Sequence, residues 1–367
     1  MTHSQRRDNL SARIRAFDNA VAIDAMLVSD LNNVRYLTGF SGSNAALLVF
    51  ADGRPAVLST DGRYRTQAAQ QAPDLEVVIE RACARHLVGR AVADGANRIG
   101  FESHVVTVDG CAALERALGD PPAATLVRAS GTVEALREIK DDGEVALLRL
   151  ACEAADAALA DLISQGGLRP GRTEKEVRRD LEALMLDHGA DAASFETIVA
   201  TGANSAIPHH RPTDAVLTSG DLVKIDFGAM VAGYHSDMTR TFVLGKAADW
   251  QREIYDLVAT AQRAGREALA PGVLLKDVDL ASRQVITDAG FGDTFTHGLG
   301  HGVGLQIHEA PGINASAAGT LFRGSAVTVE PGVYLPDRGG VRIEDTLVVG
   351  SKAPDLLTRF PKELQIL

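Results

Sequence analysis

The run "VKIDFGAMVAGYHSDMTRTF", Val223 to Phe242, holds Asp226 and Asp237 in a pattern that otherwise reads as two β-strands. Strands avoid Asp, whose side chain competes for backbone hydrogen bonds and packs poorly on a pleated surface. Apolar Val223, Ile225 and Phe227 alternate with Lys224, Asp226 and Gly228. Period two therefore puts Asp226 on the face opposite the apolar one. The two aspartates are 11 residues apart, and a tight turn centred on Val231–Ala232 would set them directly opposite across the ladder. Bare like charges at that separation destabilise a sheet, and a cation between them removes the objection.

The device recurs near the C-terminus. "VTVEPGVY" carries Glu330, and "GVRIEDTLVV" carries Glu344 on the face it shares with Arg342. Four carboxylates are thus expected on four strands of two related hairpins. Histidines accompany them: "THGLGHGVGLQIHEAPG" supplies His297, His301 and His308, and "IPHHRP" supplies His209 and His210. Gly298, Gly300, Gly302 and Gly304 let the backbone run close beneath a site. Their spacing is not GxGxxG and no βαβ unit follows, so a dinucleotide fold is not supported. Carboxylates and imidazoles without thiolates form a donor set suited to Mn²⁺, Co²⁺, Zn²⁺ or Fe²⁺, more than to a structural zinc. More carboxylates than one ion needs imply a pair of ions, typically about 3.5–4 Å apart, that activates a shared water and polarises a carbonyl. The implied chemistry is metal-assisted hydrolysis. Residue types alone do not rank the histidines.

Positioning such a site needs a repeated scaffold, and the sequence contains a weak internal repeat. "LRPGRTEKEV" at Leu168 aligns with "LAPGVLLKDV" at Leu269, an offset of 101 residues, and Asp187 and Gly189 match Asp288 and Gly290. "GDLVKID" then aligns with "GSAVTVE" at an offset of 104, pairing Asp226 with Glu330. Each half reads as helix, Pro-Gly turn, amphipathic helix and β-hairpin, giving an α+β fold around one curved, mainly antiparallel sheet.

The first third differs in texture. "DAMLVSD" and "AALLVFADGRPAVLST" read as strands, the second as a hairpin about Asp52-Gly53. "DGRYRTQAAQQ" and "VDGCAALERALG" read as helices, "NRIGFE" as a strand and "DPPAATLVRASG" as a strand-bearing linker. From Thr132 a long amphipathic helical pattern begins, so the expected domains are 1–131, a smaller α/β unit, and 132–367.

Composition narrows the classes. A chain of 367 residues exceeds what one core usually serves, and 46% hydrophobic with 23% charged residues is globular. Its net charge of −11 argues against a nucleic-acid or anionic-membrane partner. No apolar run approaches the roughly 18 residues a membrane span needs, and the N-terminus lacks a signal-like apolar segment. Cys83, Cys111 and Cys152, widely spaced and without CxxC, fit buried small hydrophobes in a reducing compartment. A cytoplasmic protein is expected.

"DFGAMVAGYHSDMTRTF", "HGLGHGVGLQIHEAPG", "VEPGVY" and "RIED" together resemble the metallopeptidase family with the pita-bread fold, and the first third resembles the creatinase/prolidase N-terminal domain. That family includes aminopeptidase P, prolidase, methionine aminopeptidase and the metal-free creatinase. The resemblance implies five ligands of a dinuclear site: Asp226, Asp237, His301, Glu330 and Glu344, with Asp237 and Glu344 bridging. It implies Glu330, His209 and His308 as catalytic residues, Glu330 taking the water proton and the histidines contacting substrate. His297 and Arg342 would surround the ligands. The cofactors implied are two divalent ions, manganese first, with cobalt, zinc or iron as alternatives. The activity implied is cleavage of the bond preceding proline in small peptides, an Xaa-Pro aminopeptidase first and an Xaa-Pro dipeptidase second. A dipeptidase must hold a free carboxylate, usually with an arginine. Some prolidases carry a basic residue where this chain has Gly312, and Arg323 or Arg338 stand as substitutes. A methionine-aminopeptidase-like activity or a non-catalytic binding role ranks behind these. The resemblance also implies a homodimer or homotetramer.

Overall fold

The computed structural model describes residues 1–17 and 22–367. They form two compact units, Met1–Arg137 and Glu138–Leu367.

The first unit runs α1 (His3–Arg15), β1 (Ala25–Val28), α2 (Leu31–Thr38), β2 (Ala45–Phe50), β3 (Val57–Thr60), α3 (Arg65–Gln71), β4 (Glu76–Ile79), α4 (Cys83–Ala93), β5 (Arg98–Phe101), α5 (Val108–Ala117), β6 (Thr125–Arg128) and α6 (Glu134–Arg137). Its sheet has the order β4-β3-β2-β1-β5-β6. The β1–β2 and β2–β3 pairs are antiparallel and the others parallel. "DPPAATLVRASG" is no linker: its β6 pairs with β5 and completes one sheet edge. Periodicity does not flag α1, β4 or α4. Helix α1 shows why: Arg6 and Arg7 are buried on its inner face, donating to the carbonyls of Tyr36 and Leu37. A face that reads as charged is thus an inner one.

The second unit runs α7 (Asp142–Ser164), α8 (Glu174–Asp187), β7 (Ala192–Ala193), β8 (Ile198–Thr201), β9 (Leu222–Phe227), β10 (Ala229–Val231), β11 (Tyr234–His235), β12 (Met238–Val243), α9 (Asp249–Glu267), α10 (Leu275–Asp288), β13 (Gly300–Gly302), β14 (Glu309–Ile313), β15 (Ala326–Val329), β16 (Gly332–Leu335), β17 (Gly339–Arg342), β18 (Asp345–Val348) and β19 (Asp355–Leu356). The helical pattern expected as continuous from Thr132 is interrupted at residues 138–141. There Asp141 accepts from the Glu144 backbone while Glu144 reaches back, a capping box that starts α7 afresh.

The internal repeat is visible in the fold. Helices α8 and α10 have 14 residues each. Gly171 and Gly272, both at positive φ, precede them and donate to the carbonyls of Leu217 and Leu321 at 2.9 and 2.8 Å. Each half has its own apolar core. One gathers Leu159, Leu181, Val223 and Phe227; the other gathers Ile254, Val278, Val327 and Ile343.

Two expectations are corrected. The strands do not form one continuous sheet but β11-β10-β7, β12-β9-β8, β14-β13-β15-β18-β19 and β16-β17, every pair antiparallel. Asp226 does not face Asp237; it pairs with Thr239. The turn is centred on Ala232–Gly233, at φ +48° and +81°, flanked by the Val231–Tyr234 pair. Positive φ at both central residues matches the twist of a hairpin, and it shifts the register by two from the expected one. Asp237 is therefore diagonal to Asp226 on the same face.

Fully buried Arg240 ties this region to the C-terminal segment. It pairs with Asp345 at 2.9 Å and donates to the carbonyls of Glu344 and Phe360. Removing one partner of a buried pair leaves an uncompensated charge. Arg240→Met should lower the unfolding free energy by about 3–5 kcal/mol in a denaturant melt; a loss below about 1 kcal/mol would contradict this role. None of the helices among the described residues is long and apolar enough to cross a membrane.

Candidate active site

Interruptions in the ladders place the carboxylates. Asp226 lies on β9, whereas Asp237, Glu330 and Glu344 sit in gaps before β12, after β15 and before β18. The expectation of four carboxylates on four strands holds for Asp226 alone. A gap frees the side chain from the alternation of a strand, so it can turn toward a common point. Gly228 permits one such break: a Cβ there would fall 1.8 Å from the Ser236 carbonyl oxygen.

These residues border a cavity of about 920 Å³ in the second unit. Asp226, Asp237, Glu330, Glu344, His301, His209, His308, His297 and Arg342 all line it, with Phe195, Ile198, Ile307 and Ile313 on its apolar wall. His210, next to His209, is buried and turned to Glu174 at 2.8 Å. Arg323 and Arg338 are absent from the lining; Arg338 stacks on Trp250, 4.2 Å from the ring centre. Arg211 takes a place on the rim instead, with its side chain 85% exposed.

One oxygen of Asp237, one of Glu344 and a ring nitrogen of His301 lie within 4.8 Å of one another. His301 Nδ1 donates to the Gly302 carbonyl at 3.0 Å, which leaves the Nε2 lone pair free. Nε2 lies 3.5 Å from Asp237 Oδ2 and 3.4 Å from Glu330 Oε1. Three acceptors thus face each other, none of them donating to another. Asp226 Oδ1 is buried and has no hydrogen-bond partner. Clustered carboxylate and imidazole acceptors with an unpartnered buried oxygen nearby are what divalent cations satisfy, and oxygen with one imidazole is a fitting donor set. The residues therefore fit the group.

Electrostatics agree. Burial, then the Glu344 charge, raises the Asp237 carboxyl well above its usual range; burial, then Glu330, does the same to Glu344. Burial pushes Glu330 up to about 7. His301 is pushed down to about 4 and His297 to about 3, chiefly by burial, so both rings are neutral.

Spacing did not reveal the groups that brace these residues. Thr239 Oγ1 donates to Glu344 at 2.6 Å and Thr328 Oγ1 to Glu330 at 3.2 Å. Arg342 pairs with Asp226 and donates to Tyr334 OH at 3.0 Å, and that hydroxyl donates to His297 Nε2 at 2.8 Å. Tyr334 lies four residues beyond Glu330 in "VEPGVY", yet nothing in a short apolar strand marks its hydroxyl as part of the site.

Comparison with known proteins gives the family of both units. Residues 146–351 match "Metallopeptidase family M24", and residues 7–139 match the "Creatinase/Prolidase N-terminal domain". An uncharacterized peptidase, YqhT of Bacillus subtilis, is 39% identical over 97% of this chain and 99% of its own. The structure of an Xaa-Pro dipeptidase from Bacillus anthracis superposes with a TM-score of 0.92 at 40% identity, over 98% of this chain and 100% of that one. That of an X-Pro aminopeptidase from Thermotoga maritima gives 0.86 at 32% identity, over 95% and 99%.

The raised carboxyls carry a sign for stability. Above about pH 7.5 these histidines are neutral both folded and unfolded and drop out. Folded Asp237 and Glu344 still hold protons there that the unfolded chain has lost, so stability falls as pH rises. The metal-free protein should melt at lower temperature at about pH 8.5 than at about pH 7.5, with Asp237→Asn flattening the decline and added divalent metal abolishing it. A metal-free melting temperature that rises over this interval would contradict the arrangement.

Proposed function

The chain belongs to metallopeptidase family M24, and on that premise we propose that it hydrolyses the peptide bond preceding proline, releasing the N-terminal residue of a small peptide. The observation that carries this reading is the approach of Asp237, Glu344 and His301 donor atoms to within 4.8 Å of one another, beside an unpartnered Asp226 Oδ1 on the same cavity. Asp226, Asp237, His301, Glu330 and Glu344 would hold two divalent ions, manganese first, which when bound supply Lewis-acid polarisation and a water nucleophile at neutral pH.

The chain's own residues do the rest. Glu330 takes the proton from the attacking water and passes it to the departing proline nitrogen. His209 has its ring on the cavity and no hydrogen-bond partner among the described residues, so it is available to the substrate. His308 packs edge-on against His301, their ring centres 4.4 Å apart, and offers a second donor. Arg342, braced by Tyr334 and Thr239 Oγ1, holds Asp226 in place. The apolar wall of Phe195, Ile198, Ile307 and Ile313 suits the proline ring. An X-Pro bond is a tertiary amide without an N–H, so its recognition relies on ring packing and on the carbonyl.

A specific observation favours a second reading, an Xaa-Pro dipeptidase. Arg211, exposed on the cavity rim, is a cation placed to receive the free carboxylate of a dipeptide. Three free cysteines support a cytoplasmic setting. The match to the creatinase/prolidase N-terminal domain supports a homodimer or homotetramer.

Stripped protein should leave Gly-Pro-Ala and Gly-Pro intact, and restoring Mn²⁺ should start release of glycine, read by mass spectrometry. Faster turnover of the tripeptide supports the aminopeptidase, and turnover of Gly-Pro alone the dipeptidase. Cleavage of neither, with metal bound, would overturn the proposal.

A further inference from the structure

Lys224 puts an amine in the wrong place for a strand residue. It lies fully buried on β9, on the same face as Asp226, and no carboxylate among the described residues pairs with it. Burying an ammonium costs several kcal/mol unless its donors are engaged, and a β-branched apolar residue would fill this position without that cost. The Lys224 hydrogen bonds go to main chain, and Nζ also lies over the Tyr334 ring, 5.1 Å from its centre. Nζ donates to the carbonyl of Ile207 at 2.6 Å and to that of Pro208 at 3.2 Å. Arg342 Nη1 donates to the same Pro208 oxygen at 3.2 Å. The next residue is His209.

The other side of this loop is pinned as well. The buried Glu174 carboxylate accepts from Thr201 N, Asn204 Nδ2, His210 Nε2 and Thr213 N, all at 2.8–2.9 Å. Residues 201–213 are thus held from two directions, by the buried Glu174 carboxylate behind and by the buried Lys224 and Arg342 donors beneath. His209 stands between the two anchors with its backbone restrained and its ring uncommitted.

We infer that Lys224 is a positioning residue that sets, through the carbonyls of Ile207 and Pro208, where the His209 ring meets the substrate. This rests on the reading of His209 as a substrate-contacting group. Lys224 touches no reacting atom; its effect on His209 is transmitted by the loop. A displacement of about 1 Å in a group that meets the substrate costs on the order of 10²-fold in rate.

The test is a double-mutant cycle in the metal-loaded full chain, with kcat, KM, metal content and melting temperature measured for each variant. His209→Ala should lower kcat/KM by about 10²-fold. Lys224→Met should lower it by about 10- to 100-fold at unchanged metal content. Lys224→Gln, which keeps two N–H donors for the two carbonyls, should recover most of that loss. The double variant His209→Ala/Lys224→Met should be no worse than His209→Ala, because Lys224 then has nothing to position. Lys224→Thr, suited to a strand, repeats the cycle if the Met variant melts near the assay temperature. Losses that multiply in the double variant, or a Lys224→Met effect that tracks lost metal, overturn the inference while leaving His209 in its role. An unimpaired His209→Ala variant overturns both.

Discussion

Mutual repulsion among buried carboxylates is the constraint on which the second unit is built. Asp237 and Glu344 are at most 4% exposed; besides burial, the Glu344 charge raises the proton affinity of Asp237, and the Glu330 charge that of Glu344. Left ionised and unneutralised, such a cluster would oppose the fold that assembles it. The rest of the unit can be read as what is needed to hold the cluster regardless. Two helix pairs supply two separate apolar cores, and between them the hairpins can be interrupted wherever a carboxylate must leave the ladder. Threonines fasten individual oxygens, and Arg342 neutralises Asp226 from behind. Arg240 clamps Asp345, one residue beyond Glu344.

Interruption of the sheet is therefore functional geometry. A continuous strand alternates its side chains between two faces, and four carboxylates on perfect ladders would be fixed at strand spacings. Gaps at Asp237, Glu330 and Glu344 relax that spacing. The backbone is kept close by glycine where a side chain cannot fit, as at Gly228. The same economy holds for His301, whose ring is aimed by one hydrogen bond to its neighbour's carbonyl.

Much of this was legible in the sequence for physical reasons. Carboxylates in apolar strands are anomalies that survive any uncertainty over register. The duplicated Pro-Gly turns and helices repeat a fold unit at nearly constant offset, which local noise does not erase. What was not legible depended on single backbone angles or on long-range partners. Ala232 at positive φ moved the hairpin register, although Gly233 beside it was a signal that the turn lay one residue later. Lys224 read as an ordinary polar strand position, because its partners, the carbonyls of Ile207 and Pro208, belong to a loop with no periodicity. The capping box at Asp141 and Glu144 was written in the sequence but was masked by helical residues on both sides. Strands β4 and β6 are short and only partly buried, so hydrophobic alternation had little to show.

The central claim is that the converging acceptors are a cation site, completed by charge from outside the chain. Calorimetric titration of the metal-stripped protein with Mn²⁺ tests it most directly. The account predicts about two ions bound per chain, with at least one lost in Glu344→Gln. Failure to bind any divalent ion, or binding unchanged by Glu344→Gln, would contradict it.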